Sequence, residues 1–273
     1  MRKFHKLFLW LFILIFLVSG CASSAKLTSK SAVLSSRVKR ADDNEHILFG
    51  YPGHEKIVLY RKGYVLGYNA EKKIADWVSY HFTDVYCVRN VGRTDDFRAD
   101  PDLLPGQRAE LGDYKGSGYD RGHLAPAADM ARDEQIMSES FLLSNMAPQV
   151  GAGFNRGIWK KLEEQVRGWV QQRKNMYVFT GSIFSDPEHY NTIGSNKVAV
   201  PTHFYKIVVS CTEAGNNLDA IAFILPNQQN PDEKLPKFIT SIDEIERVTG
   251  LNFMAELDLY TQAKLEAKKA EMW

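Results

Sequence analysis

The chain has 273 residues, 44% hydrophobic and 25% charged, with 34 Lys+Arg against 33 Asp+Glu and a formal net charge of +1. There is enough apolar material for a sizeable core, which excludes a disordered polyelectrolyte, and the balanced signs exclude a chain that holds an anionic polymer by bulk charge. Three cysteines are too few for a disulfide-built scaffold.

Met1-Arg2-Lys3-Phe4-His5-Lys6 is a basic start, and Leu7 through Val18 is an unbroken apolar run. The run is shorter than the ~20 residues needed to cross a bilayer, so residues 1–20 read as an export signal. It closes on Val18-Ser19-Gly20-Cys21, which resembles a bacterial lipobox. That resemblance implies a lipoprotein acylated on Cys21, which becomes the mature N-terminus, with the protein body in water and the acyl chains in a membrane of the cell envelope. Ala22 is compatible with sorting to the outer membrane. An ordinary signal peptide cut nearby, or a short membrane anchor, is the alternative. Removing the leader cations Arg2, Lys3 and Lys6 from +1 leaves −2.

Residues 21–45 are rich in Ser, Ala, Lys and Asp and poor in aromatics, as in a flexible spacer. Composition changes at His46, and residues 46–260 show no repeat or second linker, which is the size of one substantial domain. Lys56–Arg61 and Gly63–Asn69 predict a hairpin, and Ala75–Phe82 a third strand with near alternation. Helices are expected at Ser138–Leu143 and at Asn155–Arg173. The second of these carries Ile158, Trp159, Leu162, Val166, Trp169 and Val170 at helical spacing. Met176–Gly181, His203–Val209 and Leu218–Leu225 are rich in β-branched and aromatic residues and predict strands. Ser241 and Glu244 predict a capping box opening a helix to Thr249. The charged, Ala-rich stretch 261–273 is expected as an exposed helix end. Strands with few crossover helices argue for an α+β fold, a mainly antiparallel sheet flanked by helices.

Three runs carry chemistry. Gly118-Tyr119-Asp120-Arg121-Gly122-His123-Leu124-Ala125-Pro126 sets a guanidinium and an imidazole two residues apart beside glycines. Arg121 can fork onto phosphate oxygens and His123 can accept a proton near neutral pH, although such a tripeptide is also a common surface turn. Leu143-Ser144-Asn145-Met146-Ala147-Pro148-Gln149 follows, then Gly153-Phe154-Asn155-Arg156-Gly157-Ile158-Trp159-Lys160-Lys161-Leu162-Glu163. Asn155 offers a neutral oxygen suited to Mg²⁺, or an N-cap. Glu163, two turns on, is either a support for the same site or a solvated helix residue.

Together the three runs closely resemble the DNA/RNA non-specific endonucleases, relatives of endonuclease G in the ββα-metal superfamily. The resemblance implies a ββα-metal finger in which His123 sits on a short hairpin strand packed on the Asn155 helix. It also implies metal-dependent hydrolysis of DNA and RNA without sequence preference. His123 would be the general base and Asn155 the ligand of one Mg²⁺, with Mn²⁺ or another divalent cation as substitute. Arg121 would contact the phosphate and Glu163 would orient metal-bound water. Asn145 would orient the histidine or the substrate, or form a buried turn. Asp120 would fix Arg121 or stabilise the turn. Upstream, Arg89, Arg93 and Arg98 all compete for a further phosphate contact, and Arg93 is the preferred one. Some members of the family are homodimers, so a second copy is an expected partner, although no dimer surface is legible.

Arg156, Lys160, Lys161, Arg167, Arg173 and Lys174 offer either a local cationic patch or a solvated helix face. Cys87 and Cys211 form a disulfide or remain two buried thiols. His46, His54, His81, His189 and His203 lack zinc-site spacing and read as structural or surface residues. Two other readings compete with the nuclease. One is a phosphodiesterase for small nucleotides, which could use the same base and metal, and the other is a non-catalytic surface lipoprotein.

Overall fold

The computed structural model describes residues 44–211, 217–229 and 233–273, so the leader, Cys21 and almost all of the expected spacer lie outside the described residues. The described chain begins with a short 3₁₀ turn, Glu45–Ile47, in which His46 and Ile47 are buried against the sheet.

Strands β1 (Ile57–Tyr60), β2 (Val65–Asn69) and β3 (Ile74–Thr83) form the predicted meander. A long excursion then carries helix α1 (Leu111–Tyr114), β4 (Tyr119–His123), α2 (Glu134–Ser140) and β5 (Met146–Val150). An irregular coil, 151–159, leads into α3 (Lys160–Arg173) and β6 (Asn175–Ile183). A small hairpin, β7 (Thr192–Ile193) with β8 (Val198–Ala199), precedes β9 (His203–Ser210) and β10 (Asp219–Pro226). The chain continues through β11 (Ile239–Thr240), α4 (Ile242–Thr249) and α5 (Leu259–Glu266).

Seven strands make one sheet in the order β1-β2-β3-β6-β9-β10-β11, antiparallel throughout, while β4 and β5 pair apart from it. This is the α+β architecture read from the strand pattern. The period of two gives the sheet two apolar faces. Tyr80, Phe82, Val178, Phe204, Val208 and Phe223 face one way, and they are covered by Trp159 at the end of the coil and by Leu162, Val166 and Trp169 of α3. Trp77, Phe179, Tyr205, Ile207 and Val209 face the other way, toward Ile242 and Ile245 of α4 and Leu265 of α5.

The excursion is fixed to the sheet by a buried charge. Asp100 is fully buried and accepts two hydrogen bonds from Arg61 Nη2 (2.7 and 2.6 Å) and one from the Ser144 hydroxyl. One carboxylate therefore joins the end of β1 to the turn before β5.

Several expectations are corrected. The helix expected at Ser138–Leu143 lies earlier, at Glu134–Ser140, because Asp133 caps it by accepting from Ile136 N–H (3.1 Å). The helix expected from Asn155 begins at Lys160, since Gly153 (φ +80°) and Gly157 (φ −114°, ψ −109°) break the preceding segment. Only half of the predicted capping box forms: Ser241 Oγ accepts from Glu244 N–H, while the Glu244 carboxylate turns to Arg247. The stretch 261–273 is docked rather than exposed. Leu265, Glu266 and Ala270 are buried, and Trp169 Nε1 donates to Trp273 O at 3.0 Å with the two ring centroids 5.3 Å apart. Cys87 and Cys211 are free thiols. Burial pushes the Cys211 thiol up to about 11, so it stays protonated at neutral pH. Among the described residues no helix is long and apolar enough to cross a membrane.

Candidate active site

β4 pairs antiparallel with β5 in the register Asp120↔Gln149, Arg121↔Pro148, Gly122↔Ala147 and His123↔Met146. Alternation puts Tyr119, Arg121 and His123 on one face of the ribbon and Asp120 and Gly122 on the other. Gly122 is required by close packing, because a Cβ there would run into the buried Gln149 amide.

His123 is 9% exposed, and its Nε2 is buried with no hydrogen-bond partner among the described residues. Its ring stands edge-on to Phe141 (centroids 5.0 Å, 90°) and to Phe97 (5.7 Å, 61°). Each of those rings carries a guanidinium: Arg121 lies 4.1 Å from the Phe97 centroid and Arg93 4.7 Å from that of Phe141. The imidazole thus sits between two arginines on aromatic platforms. Burial first, then the charges of Arg93 and Arg121, lower its pKa from 6.5 to about 3, so His123 is neutral at pH 7 and can accept a proton.

This arrangement separates the upstream arginines. Arg93 reaches the site. Arg98 is tied to Asp96 Oδ2 (2.8 Å) and Ser138 O (2.9 Å), and Arg89 is exposed with no link to His123. Phe97 and Phe141 were missed by sequence reasoning, because nothing local marks a phenylalanine as the seat of a guanidinium.

Asn155 is half-buried in the coil after β5. It lies five residues before α3 starts, so the N-cap alternative falls. Its Nδ2 donates to Asp120 Oδ2 at 2.9 Å, and Arg156 Nε pairs with the same oxygen at 3.1 Å. An ionised carboxylate can only accept, so Asp120 fixes the orientation of the amide and leaves Asn155 Oδ1 as the group offered to a cation. Asp120 therefore serves Asn155 and Arg156 rather than Arg121. It is also three residues from His123 on β4, which ties the proposed ligand and base to one rigid strand. A carboxamide oxygen next to a carboxylate suits a hard divalent ion, and the residues present fit one.

Asn145 is fully buried, and its amide is consumed by backbone: Oδ1 accepts from Ala125 N–H (2.9 Å), and Nδ2 donates to Ala125 O and Ser140 O (both 2.9 Å). It fixes the turn behind His123, as the buried-turn alternative expects, and keeps no group for substrate.

Glu163 sits in the first turn of α3 and belongs to a neighbouring charged cluster. Burial raises its carboxyl above the usual range, and Lys206, Asp129 and Arg167 also act on it. Asp129 is buried and accepts from Arg167 Nη1 (2.7 Å) and the Tyr80 hydroxyl (2.8 Å). Lys206 is buried on the same face of the sheet, its Nζ 4.8 Å from the Trp159 ring centroid. The predicted core role of Trp159 holds: it stacks on Phe154 (5.6 Å) and tilts on Phe204 (5.7 Å), pinning the coil to β9. Most of the basic helix face is occupied by partners. Arg156 pairs with Asp120, Lys160 with Glu164, Arg167 with Asp129, Arg173 with Asp219 and Lys174 with Asp84.

A buried neutral imidazole between two guanidiniums, on a two-stranded ribbon followed by a helix, is an arrangement suited to the chemistry of phosphate esters. A family profile described as DNA/RNA non-specific endonuclease matches residues 42–259, and the chain belongs to that family of divalent-metal-dependent nucleases. It is 41% identical over 238 residues to Nuclease C1 of Cunninghamella echinulata var. echinulata, covering 82% of this chain and 93% of that protein. It is 36% identical over 220 residues to the mitochondrial Endonuclease G of Homo sapiens, covering 77% and 73%. Among solved structures, a crystal structure of the EndoG/EndoGI complex matches with a TM-score of 0.73 and 35% identity, covering 80% of this chain and 93% of that one. The chain is a hydrolase acting on the phosphodiester bonds of nucleic acids.

Proposed function

We propose that the chain hydrolyses DNA and RNA with His123 as general base, Arg121 and Arg93 as the phosphate grip, and Asn155 Oδ1 as the ligand of one Mg²⁺. The observation that carries this is the unpartnered, buried Nε2 of a neutral His123 between the two arginines. The two guanidiniums present forked donors to the phosphate oxygens. His123 Nε2 takes a proton from water as its oxygen bonds to phosphorus, and the bond to the 3′ oxygen breaks. A divalent ion bound at Asn155 supplies charge stabilisation for the phosphate and the departing alkoxide. Glu163 orients ordered water, and Asn145 and Asp120 hold His123 and Asn155 in place. Contacts of this kind go to the backbone and carry no base information, in keeping with cleavage of both polymers.

Cleavage of supercoiled plasmid and long RNA with Mg²⁺ or EDTA tests the reading. Both polymers should be degraded only with metal, and His123→Ala and Asn155→Ala should each abolish cleavage. A folded wild-type protein that leaves both intact across several divalent metals refutes it. We further propose export and a lipid anchor on Cys21 at the outer membrane. This rests on the leader alone and is tested by palmitate incorporation that Cys21→Ser should remove. A homodimer is carried by the family resemblance alone, and sedimentation checks it.

A further inference from the structure

An open cleft of about 780 Å³ lies beside the start of β4, lined by Tyr119, Tyr190, His189, His203, Glu188 and Asn227 among others. We propose that this cleft is a subsite for the nucleobases flanking the scissile phosphate, holding them by ring stacking rather than by charge. The proposal rests on the nuclease reading above.

Position is the first argument. Tyr119 shares the β4 face with Arg121 and His123, so at ~3.3 Å per residue it stands roughly 7 Å along the strand from Arg121 and roughly 13 Å from His123. Bases in a stacked strand rise ~3.4 Å each, which brings the cleft within about two to four nucleotides of a phosphate held at the arginines. Rigidity is the second. Asn227 accepts from Val150 N–H (2.8 Å) and donates to Pro148 O (3.0 Å) and Pro201 O (2.9 Å), so it bolts the far wall to β5. The cleft and the His123 strand thus keep a fixed relation.

Chemistry is the third. Among the described residues that line the cleft there is no lysine or arginine, and Glu188 places a carboxylate in it. A run of phosphates would be repelled there. Planar rings are abundant by contrast. Tyr190 is braced by Phe184 at 5.0 Å, and His203 is held below its ordinary pKa by burial, which keeps its ring neutral. The cation-bearing arginine side of β4 and this aromatic cleft therefore divide a strand between them, phosphate to one and bases to the other. Every base has a π face, so such a subsite adds affinity without sequence preference.

The full chain tests this with a fluorescent 12-nucleotide single-stranded DNA, its binding read by anisotropy in EDTA, and with hydrolysis of methyl 4-nitrophenyl phosphate in Mg²⁺. Tyr119→Ala and Tyr190→Ala should each weaken oligonucleotide binding roughly tenfold. Any loss on the small diester should be smaller by about that factor. Tyr119→Phe and Tyr190→Phe keep the ring and should bind as the wild type. An oligonucleotide with abasic sites should weaken the wild type by the same factor and the alanine variants no further. Alanine variants that bind the oligonucleotide like the wild type overturn the proposal. Equal losses on oligonucleotide and small diester also overturn it, because the rings are then structural. Failure of the underlying reading is distinct, since the wild type itself would then leave polymers intact with metal.

Discussion

Burial of a neutral His123 makes the fold acid-sensitive in a calculable way. In the unfolded chain the imidazole titrates near 6.5, whereas in the folded protein its pKa falls to about 3. Between those values the unfolded state binds the extra proton, so this group's contribution is fully present above pH 6.5 and is lost as pH falls toward 3. At pH 4.5 the loss is two units of unfolded-state protonation, about 2.7 kcal/mol, and the result does not depend on where below 4 the folded value lies. Other groups titrate over the same range, so the measurement is a difference: urea unfolding of wild type and of His123→Gln, followed by tryptophan fluorescence at pH 8 and pH 4.5. The stability gap between the two proteins should shift against the wild type by about 2.7 kcal/mol on acidification, equivalent to roughly 5–11 °C in Tm for a domain of this size. A gap that stays flat from pH 8 to 4.5 would show that the imidazole is solvated or paired, and would contradict its burial without a partner.

Three other outcomes are expected. Gly122→Ala should lower stability by roughly 1–3 kcal/mol, since the added Cβ meets the buried Gln149 side chain, and a wild-type urea midpoint would contradict that packing. Trp273→Ala removes a ring contact to Trp169 at 5.3 Å and a seat for Arg173 at 3.7 Å, and thermal unfolding should report a loss of about 1–3 kcal/mol. Glu266 is 5% exposed beside Glu246 and Asp243, and its pKa is raised from 4.5 to about 8, burial being the largest cause. Its stabilising contribution is therefore present below pH 4.5 and lost as pH rises to 8, so Glu266→Gln should gain stability over wild type progressively across that range and show no gain at pH 4. Melting curves at four pH values decide this.

Strands were legible in the sequence because their signal is local. Met176–Gly181 and His203–Val209 fall inside β6 and β9 because alternating side chains pack against a core on each face. The runs around His123 and Asn155 were legible for the same reason, each being a short local motif. What stayed hidden depends on distant partners. The seat of Arg93 beside His123 is made by Phe141, dozens of residues downstream. The inward turn of Arg167 is made by Asp129, and the docking of 261–273 by Trp169. The late start of α3 had a local cause, two glycines whose dihedral angles depart from the helix, but the apolar spacing continued across them and masked it.

The contact between Trp169 and Trp273 spans 104 positions of chain. A ribosome adding about 5–20 residues per second needs roughly 5–20 s to make that interval. For that time Trp169, on the helix that carries Glu163, lacks its contact with Trp273. The packing around the helix that carries Glu163 is therefore completed by a segment synthesised well after it.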